Sequence, residues 1–385
     1  MKLESMQTRK TKLLIITDYF YPHWTGISKS IFSLTQSLQS QFEITVLTVR
    51  FRRDLKREEK LSSVSVIRTD HIFTLSRSKY SVSILLEFLK RIKTTDAVLI
   101  NSPSANILPL SVFTKLFGKR LYIFHQGDLI LPKGIINKII ERLFDLSCFV
   151  AFYLADKAST YTKDYAEYSR VLRPFLSKCY PLLMPIKTEV QKHSSSPVTK
   201  TLQSLKKGNT QLFGFAGRFV EEKGFDILFD AIPKILLYTP HARFVFAGET
   251  DISYENFFHK NMSKFEKVKD HVSLLGLLND REMAEFYHAV TFMIVPSRSD
   301  SFNLVQAEAI YCGTPVIASN IPGLRFLVKE TGFGVLFESE NPTDLAEKTI
   351  EAIEKRDKIM LRYKLVQEIL QNTKNVKKIR EFLTS

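Results

Sequence analysis

Short β-branched runs alternate with amphipathic stretches along this chain, and the alternation occurs twice, on either side of one polar interlude. That pattern belongs to parallel sheets covered by helices, because neighbouring parallel strands need a long crossover connection. In the first half the strand candidates are 12–17, 43–49, 64–68, 97–101, 120–125 and 157–161, with helical patterns such as 27–39, 82–92 and 135–153 between them. Residues 135–153 are apolar on most faces and read as a buried helix; a helix lying in a membrane interface is the alternative. The second series places strands at 212–216, 243–247, 272–275, 291–295, 315–318 and 335–337. Its helices are predicted at 225–237, 254–268, 281–289, 304–312 and from 343.

Residues 193–207 are polar, Ser-rich and aperiodic, which predicts a linker. The expected organisation is thus a first α/β unit over 1–187, a linker over 188–209 and a second unit over 210–359. A last helical stretch near 360–385 is expected to cross back to the first unit. Open parallel sheets bind ligands beyond the carboxyl ends of their strands. Two such sheets facing one another would form a cleft.

Composition narrows the function classes. Charged residues make up 25% and apolar ones 44% of the 385 residues, which argues against a mainly disordered chain. No apolar run approaches the ~18–20 residues that span a bilayer. The run 13–16 is too short for the core of a signal peptide, so the chain reads as cytoplasmic. Cys148, Cys179 and Cys312 form no CxxC pair, which argues against a disulfide framework or a cysteine zinc site.

Charge is uneven. Residues 1–187 hold 29 basic and 15 acidic side chains, a net +14, whereas the remaining 198 hold 26 and 25, a net +1. Arg50, Arg52, Arg53, Lys56, Arg57 and Lys60 form one concentration. An anionic surface or polymer suits that half, and a solvated basic face with no partner is the alternative. Nucleic acid is the weaker choice, because the basic excess lies away from the candidate carboxylates. No GxGxxG follows a strand, which argues against a dinucleotide oxidoreductase.

Two clusters carry chemistry. In Phe215-Ala-Gly-Arg218, followed by Lys223-Gly224, the glycine Gly217 allows a tight turn directly after a strand. Arg218 and Lys223 then stand at a strand-to-helix connection, where a guanidinium, an ammonium and a helix amino terminus suit a diphosphate. The second cluster is PSRSDSFNLVQAEAIYCGTPVIAS, residues 296–319. Asp300 falls in the loop after a strand. Glu308 follows eight residues on, sharing a helical stripe with Leu304 and Cys312. A carboxylate on such a stripe needs partners. A ribose diol is one candidate and a core Arg or Lys is the other. The amides of Phe302, Asn303 and Leu304 are placed to face a phosphate from the helix start.

The combination F-x-G-R-x-x-x-x-K-G with acid-x7-E resembles the family-4 retaining glycosyltransferases, of glycosyl transferases group 1. The likeness is strongest over 211–338 and includes Phe246-Ala-Gly248, Leu275-Gly276 and GTPVIAS at 313–319. It implies a GT-B fold: two Rossmann-like domains facing across a cleft, an acceptor domain first and a donor domain second. It implies that Arg218 and Lys223 hold the donor diphosphate, that Glu308 binds the ribose, and that Asp300 contacts the donor sugar. Gly248 and the backbone near Leu275 are implied to line the base pocket. Gly26, in Pro22-His-Trp-Thr-Gly26, matches the loop that closes on phosphates and acceptor. His125 matches a histidine near the sugar C6 hydroxyl. The family uses no metal ion in its catalytic step and no cofactor beyond its nucleotide-sugar co-substrate.

Three departures stand out. Asp300 occupies the place of a usual Glu, shortening the reach by about 1.5 Å. Gly26-Ile27 replaces a frequent Gly-Gly pair. Leu183-Met-Pro185-Ile186 replaces a frequent Pro-Asn-Gly turn. For His125 a purely structural role in its loop stays open. Asp128 reads either as an acceptor-side base or as a helix cap before Leu129. Trp24 reads as an acceptor platform or as packing. The expected reaction is sugar transfer with retention to a hydroxyl. The expected acceptor is a lipid-linked or cell-envelope glycan, met at an anionic membrane surface on its inner face. A catalytically inactive nucleotide-sugar-binding homologue, acting as partner or regulator, is the alternative.

Overall fold

The computed structural model describes residues 9–70, 73–75, 78–131, 134–186, 196–206, 208, 210–252 and 255–384. The chain divides into two compact units, residues 1–185 with 372–385, and residues 186–371.

In the first unit the strands are β1 (Thr11–Thr17), β2 (Phe42–Val49), β3 (Glu58–Leu61), β4 (Val64–Thr69), β5 (Phe73–Leu75), β6 (Ser78–Tyr80), β7 (Ala97–Ser102), β8 (Arg120–His125), β9 (Lys157–Thr160) and β10 (Cys179–Pro181). Eight of them form one sheet in the order β10-β9-β8-β7-β1-β2-β4-β3, while β5 and β6 pair separately. All neighbours in the larger sheet are parallel except the edge strand β3, antiparallel to β4. Leu13 to Ile16 of β1 are buried on both faces, the reason this strand reads as a continuous apolar run instead of an alternating one.

In the second unit β11 (Leu212–Ala216), β12 (Arg243–Ala247), β13 (Val272–Gly276), β14 (Phe292–Val295), β15 (Val316–Ser319) and β16 (Gly334–Phe337) form a parallel sheet in the order β13-β12-β11-β14-β15-β16. Both sheets thus build outward from their first strand and then reverse on its other side, between β1 and β7 and between β11 and β14. At such a reversal the two crossovers leave in opposite directions, opening a crevice at the strand ends. Each unit is thus an α/β, Rossmann-like fold.

Four expectations need correction. Part of the anticipated linker is a helix, Pro197–Leu205; residues 187–195 lie outside the described residues. Ser196 caps it by accepting from the Thr199 amide at 3.1 Å, Pro197 opens its first turn, and Leu202 is buried. Ser196 and Thr199 both donate to the Glu285 carboxylate, the latter at 2.6 Å. One buried leucine in nine residues is too weak a periodic signal to read. The helix expected over 254–268 is two short ones, Phe257–Lys260 and Met262–Glu266, broken at Asn261. The Asn261 side chain donates to the Phe257 carbonyl at 2.9 Å, competing with the helical backbone.

The closing segment is also divided. Tyr363–Ile369 stays with the second unit, and Asn372–Thr384 alone returns to the first. There Ile379, Phe382 and Leu383 are buried, and the Tyr122 hydroxyl donates to the Leu383 carbonyl at 3.1 Å. Finally, the helix Ile135–Leu154 is not a buried helix: it buries only Cys148, Ala151 and Phe152 and exposes a row of large apolar side chains. Its apolar composition reflects two faces, one packed on the sheet and one uncovered.

Candidate functional site

The Arg/Lys cluster and the acidic cluster, about 80 residues apart in sequence, meet at the β11/β14 reversal of the second unit. Beyond β11 the chain runs through Gly217 and Arg218 to a short turn, Glu221–Lys223, and then the helix Phe225–Tyr238. Beyond β14 it runs through 296–303 into the helix Leu304–Tyr311. Gly224 joins the two loops. Its φ is +66°, and a Cβ there would sit 1.9 Å from the Pro296 carbonyl oxygen, so only glycine admits the approach.

Arg298 clamps the same junction. Its guanidinium grips both oxygens of buried Asp226 at 2.8 Å each and donates to the Glu221 carbonyl at 2.7 Å, while its backbone N–H donates to the Glu222 carbonyl. These bonds raise the already high pKa of Arg298, the Asp226 hydrogen bonds foremost. Sequence reading passed over Arg298, because its partner Asp226 lies 72 residues away.

The clamp sets Lys223 against Asp300 at 2.8 Å, with the side chains 21% and 13% exposed. Asn303 donates to the same carboxylate oxygen at 2.7 Å. Burial alone would lower the Lys223 pKa, but Asp300 and then Glu222 outweigh it and hold the ammonium above the ordinary lysine value. An ammonium has three donors, so one bond to Asp300 leaves two for phosphate oxygens. Arg218 is more open, and donates to Glu222 at 3.1 Å.

Glu308 lies on the Leu304–Tyr311 helix, half-buried, and accepts from the Tyr287 hydroxyl at 2.8 Å. Burial first, and the Glu308 charge second, push the Tyr287 pKa well up, so the phenol keeps its proton. Asn303 caps this helix, accepting from the Gln306 amide at 2.9 Å, with Phe302 buried before it and Leu304 opening the first turn.

Gly217, Gly248 and Gly276 are laced by backbone bonds at the ends of three neighbouring strands. Gly217 N–H donates to Ala247 O and Gly248 N–H to Gly276 O. A Cβ on Gly248 would lie 1.9 Å from the Gly217 carbonyl oxygen. Leu275 is half-buried on the adjoining edge strand.

In the first unit, Gly26 opens the helix Gly26–Leu38, capped by a reciprocal Thr25–Ser28 pair. Trp24 is 42% exposed and stands edge-on to Tyr21 and Phe32 at 5.3 and 5.4 Å, so it has a packed edge and an open face. His125 is fully buried, and both ring nitrogens have protein partners: Asp128 Oδ1 at 2.9 Å from Nε2, and Ser102 Oγ at 3.0 Å from Nδ1. Asp128 caps no helix, since none begins at Leu129. Its carboxylate accepts instead from the Ser169 hydroxyl at 2.7 Å and the Arg170 amide at 2.8 Å, tying two loops together.

Burial opposes ionisation of Asp128, but His125, Ser169 and Arg170 outweigh it and bring the pKa down to about 2. A depressed carboxylate stabilises the fold above its ordinary pKa, and that contribution fades as pH falls from about 4 towards 2. Integrated, it amounts to about 2 kcal/mol. Asp128→Asn is therefore expected to lower stability at pH 7 by about that amount and to flatten the acid limb of urea denaturation midpoints. Equal acid limbs for both proteins would refute the assignment.

The β1/β7 reversal also gathers polar groups that sequence reading missed. Buried Asp18 accepts from Ser104 at 2.7 Å, Asn101 donates to Thr17, and Gln126 links Asn101 to Tyr161. Their only signal was strand order, which no local pattern carries. Among the described residues no group of three His, Cys, Asp or Glu side chains gathers that could hold a metal ion. No described helix is long and apolar enough to cross a membrane.

A glycosyltransferase of uncharacterised role from Methanocaldococcus jannaschii is 39% identical over 139 residues, 36% of this chain and 37% of that protein. A D-inositol 3-phosphate glycosyltransferase from Segniliparus rotundus is 35% identical over 137 residues, 34% of this chain and 30% of that protein. The match thus spans about a third of the length of these curated relatives. Among solved structures, Anabaena HepE in complex with UDP and glucose has TM-score 0.74 at 16% identity, covering 97% of this chain and 100% of that one. Sucrose-phosphate synthase from Thermosynechococcus elongatus has TM-score 0.75 at 16% identity, covering 97% and 98%. Residues 199–375 match the glycosyl transferases group 1 family. The Arg218, Lys223, Asp300 and Glu308 motifs all lie inside that span, so residues 199–375 form a domain similar to glycosyl transferases group 1.

Proposed function

We propose that this protein is a retaining glycosyltransferase that moves a sugar from a nucleoside-diphosphate sugar to a hydroxyl. The observation that carries the reading is the Lys223–Asp300 pair at the β11/β14 reversal, within the span matching glycosyl transferases group 1. HepE, which shares the fold, was solved with UDP and glucose, which supports a nucleoside diphosphate as the ligand class.

Departure of the diphosphate leaves an oxocarbenium-like sugar and a fully charged leaving group. Lys223 and Arg218 stabilise that charge, and the start of the Leu304–Tyr311 helix adds its dipole. Glu308 takes the ribose hydroxyls. Asp300 takes sugar hydroxyls through a carboxylate already held by Lys223 and Asn303. Those bonds draw electron density from Asp300 and disfavour it as a covalent nucleophile, unlike the paired acids of retaining glycosidases. Attack from the leaving-group face, with a phosphate oxygen taking the acceptor proton, accounts for retention without a second carboxylate. No metal or further cofactor enters this scheme. On the acceptor side, Asp18, Gln126 and Trp24 of the first unit are the candidate contacts, and a lipid-linked or cell-envelope glycan is the proposed acceptor class.

The first test is a thermal-shift panel of nucleoside diphosphates and nucleotide sugars. A matching ligand at 100 times its dissociation constant is expected to add about 2.7 kcal/mol of stability. Release of nucleoside diphosphate on adding acceptor then separates an enzyme from an inactive binding homologue. No shift with any nucleoside diphosphate would overturn the reading.

A further inference from the structure

The helix Ile135–Leu154 leaves Ile135, Ile139, Leu143, Leu146, Phe149 and Tyr153 between 45% and 82% exposed. Their spacing of 4, 4, 3, 3 and 4 residues keeps them on one face over five helical turns, a stripe about 27 Å long. A continuous apolar stripe of this length on a surface marks an interaction site.

Charge decides what covers it. Lys138 and Arg142 stand exposed on the same helix, and neither side chain has a partner among the described residues. The acids of the helix are turned to the protein: Glu141 accepts from the Leu131 amide, and Asp145 pairs with Arg170. The turn Arg173–Lys178 packs against this helix through Phe175 and Phe149, 5.0 Å between ring centres, and adds Arg173 and Lys178. Lys178 donates to the Tyr153 carbonyl at the helix end. The whole first unit holds 32 basic and 16 acidic residues, a net +16, against 23 and 24, a net −1, in the second. A second copy of this face would oppose like charges. An apolar stripe with cations beside it and its acids bonded to the protein fits a bilayer carrying anionic headgroups.

We propose that this face docks the first unit on an anionic membrane surface, the stripe entering the headgroup boundary and Lys138, Arg142, Arg173 and Lys178 meeting lipid phosphates. The inference goes beyond sugar transfer and does not depend on it.

The test is co-sedimentation of the full chain, without donor, with vesicles of phosphatidylcholine and phosphatidylglycerol against phosphatidylcholine alone. Binding is expected to the mixed vesicles and to weaken as salt rises. Leu143→Ser with Leu146→Ser is expected to weaken binding about tenfold or more, since each leucine loses its burial in lipid. The thermal midpoint should hold, because both side chains are exposed in the free protein. Lys138→Glu with Arg142→Glu should remove most of the preference for phosphatidylglycerol. Absence of vesicle binding at low ionic strength, or equal binding by the double-serine variant, would overturn the proposal. So would a concentration-dependent dimer that the same serine substitutions abolish without changing vesicle binding. Nucleoside-diphosphate thermal shifts on the same preparations separate failure here from failure of the transferase reading.

Discussion

Lys223→Ala is expected to slow nucleoside-diphosphate release by about 10²–10³-fold, the cost of losing one preorganised donor to a developing oxyanion. The ammonium is held beside Asp300 in a largely buried setting, with its pKa above the ordinary value, so it is charged throughout the neutral range. It therefore presents a fixed positive charge before the reaction begins, with little reorganisation left to do. The loss should appear mainly in kcat, because charge on the diphosphate grows as the glycosidic bond breaks. Arg218→Ala is expected to cost a comparable factor, with a larger share in KM, since its guanidinium is more open and shared with Glu222. Steady-state release of nucleoside diphosphate at saturating donor measures both. Near-normal turnover in the two variants would remove their assigned role.

The largest stability effect is expected from a residue that need not touch the ligand. Arg298→Ala should destabilise the protein by about 3 kcal/mol, because it strands the buried Asp226 carboxylate without its bidentate partner. Lys264 is 3.9 Å from Asp226 and offers only a weak substitute. Arg298→Lys should recover only part of the loss, since a single ammonium cannot bridge both carboxylate oxygens and the Glu221 carbonyl. Urea denaturation of the three proteins at pH 7 provides the measurement. A midpoint in Arg298→Ala equal to that of the parent would show that the two loops are held by something other than this clamp. Donor affinity should fall alongside stability, because the clamp keeps the Lys223 loop beside the Asp300 loop.

Much of the architecture was legible in the order of residues. The longer strands of both units are marked by β-branched or aromatic runs, as at Leu13–Ile16 and Phe244–Ala247, whereas the short β3, β5, β6 and β10 carry no such signal and were not anticipated. The exceptions have local causes. Asn261 breaks a helix by bonding backwards to Phe257. The Pro197–Leu205 helix hides because a single leucine anchors it. The Ile135–Leu154 helix was misread because apolarity reports composition, whereas burial depends on what lies opposite.

The candidate site divides in the same way. The amino-acid order alone picked out the candidate side chains, since Arg218, Lys223, Asp300 and Glu308 stand at intervals of five and eight that a strand-end loop and a helix translate directly into geometry. Only the tertiary structure decided their pairings: Lys223 with Asp300, Arg298 with Asp226, Tyr287 with Glu308, and His125 with Asp128 and Ser102. Most of these contacts join residues 20 to 80 positions apart, and their distances depend on strand order and on the two loops meeting at Gly224. The physical reason is range: helix and strand periodicities act over a few residues, whereas the crevice at a reversal in a sheet exists only once distant strands lie side by side.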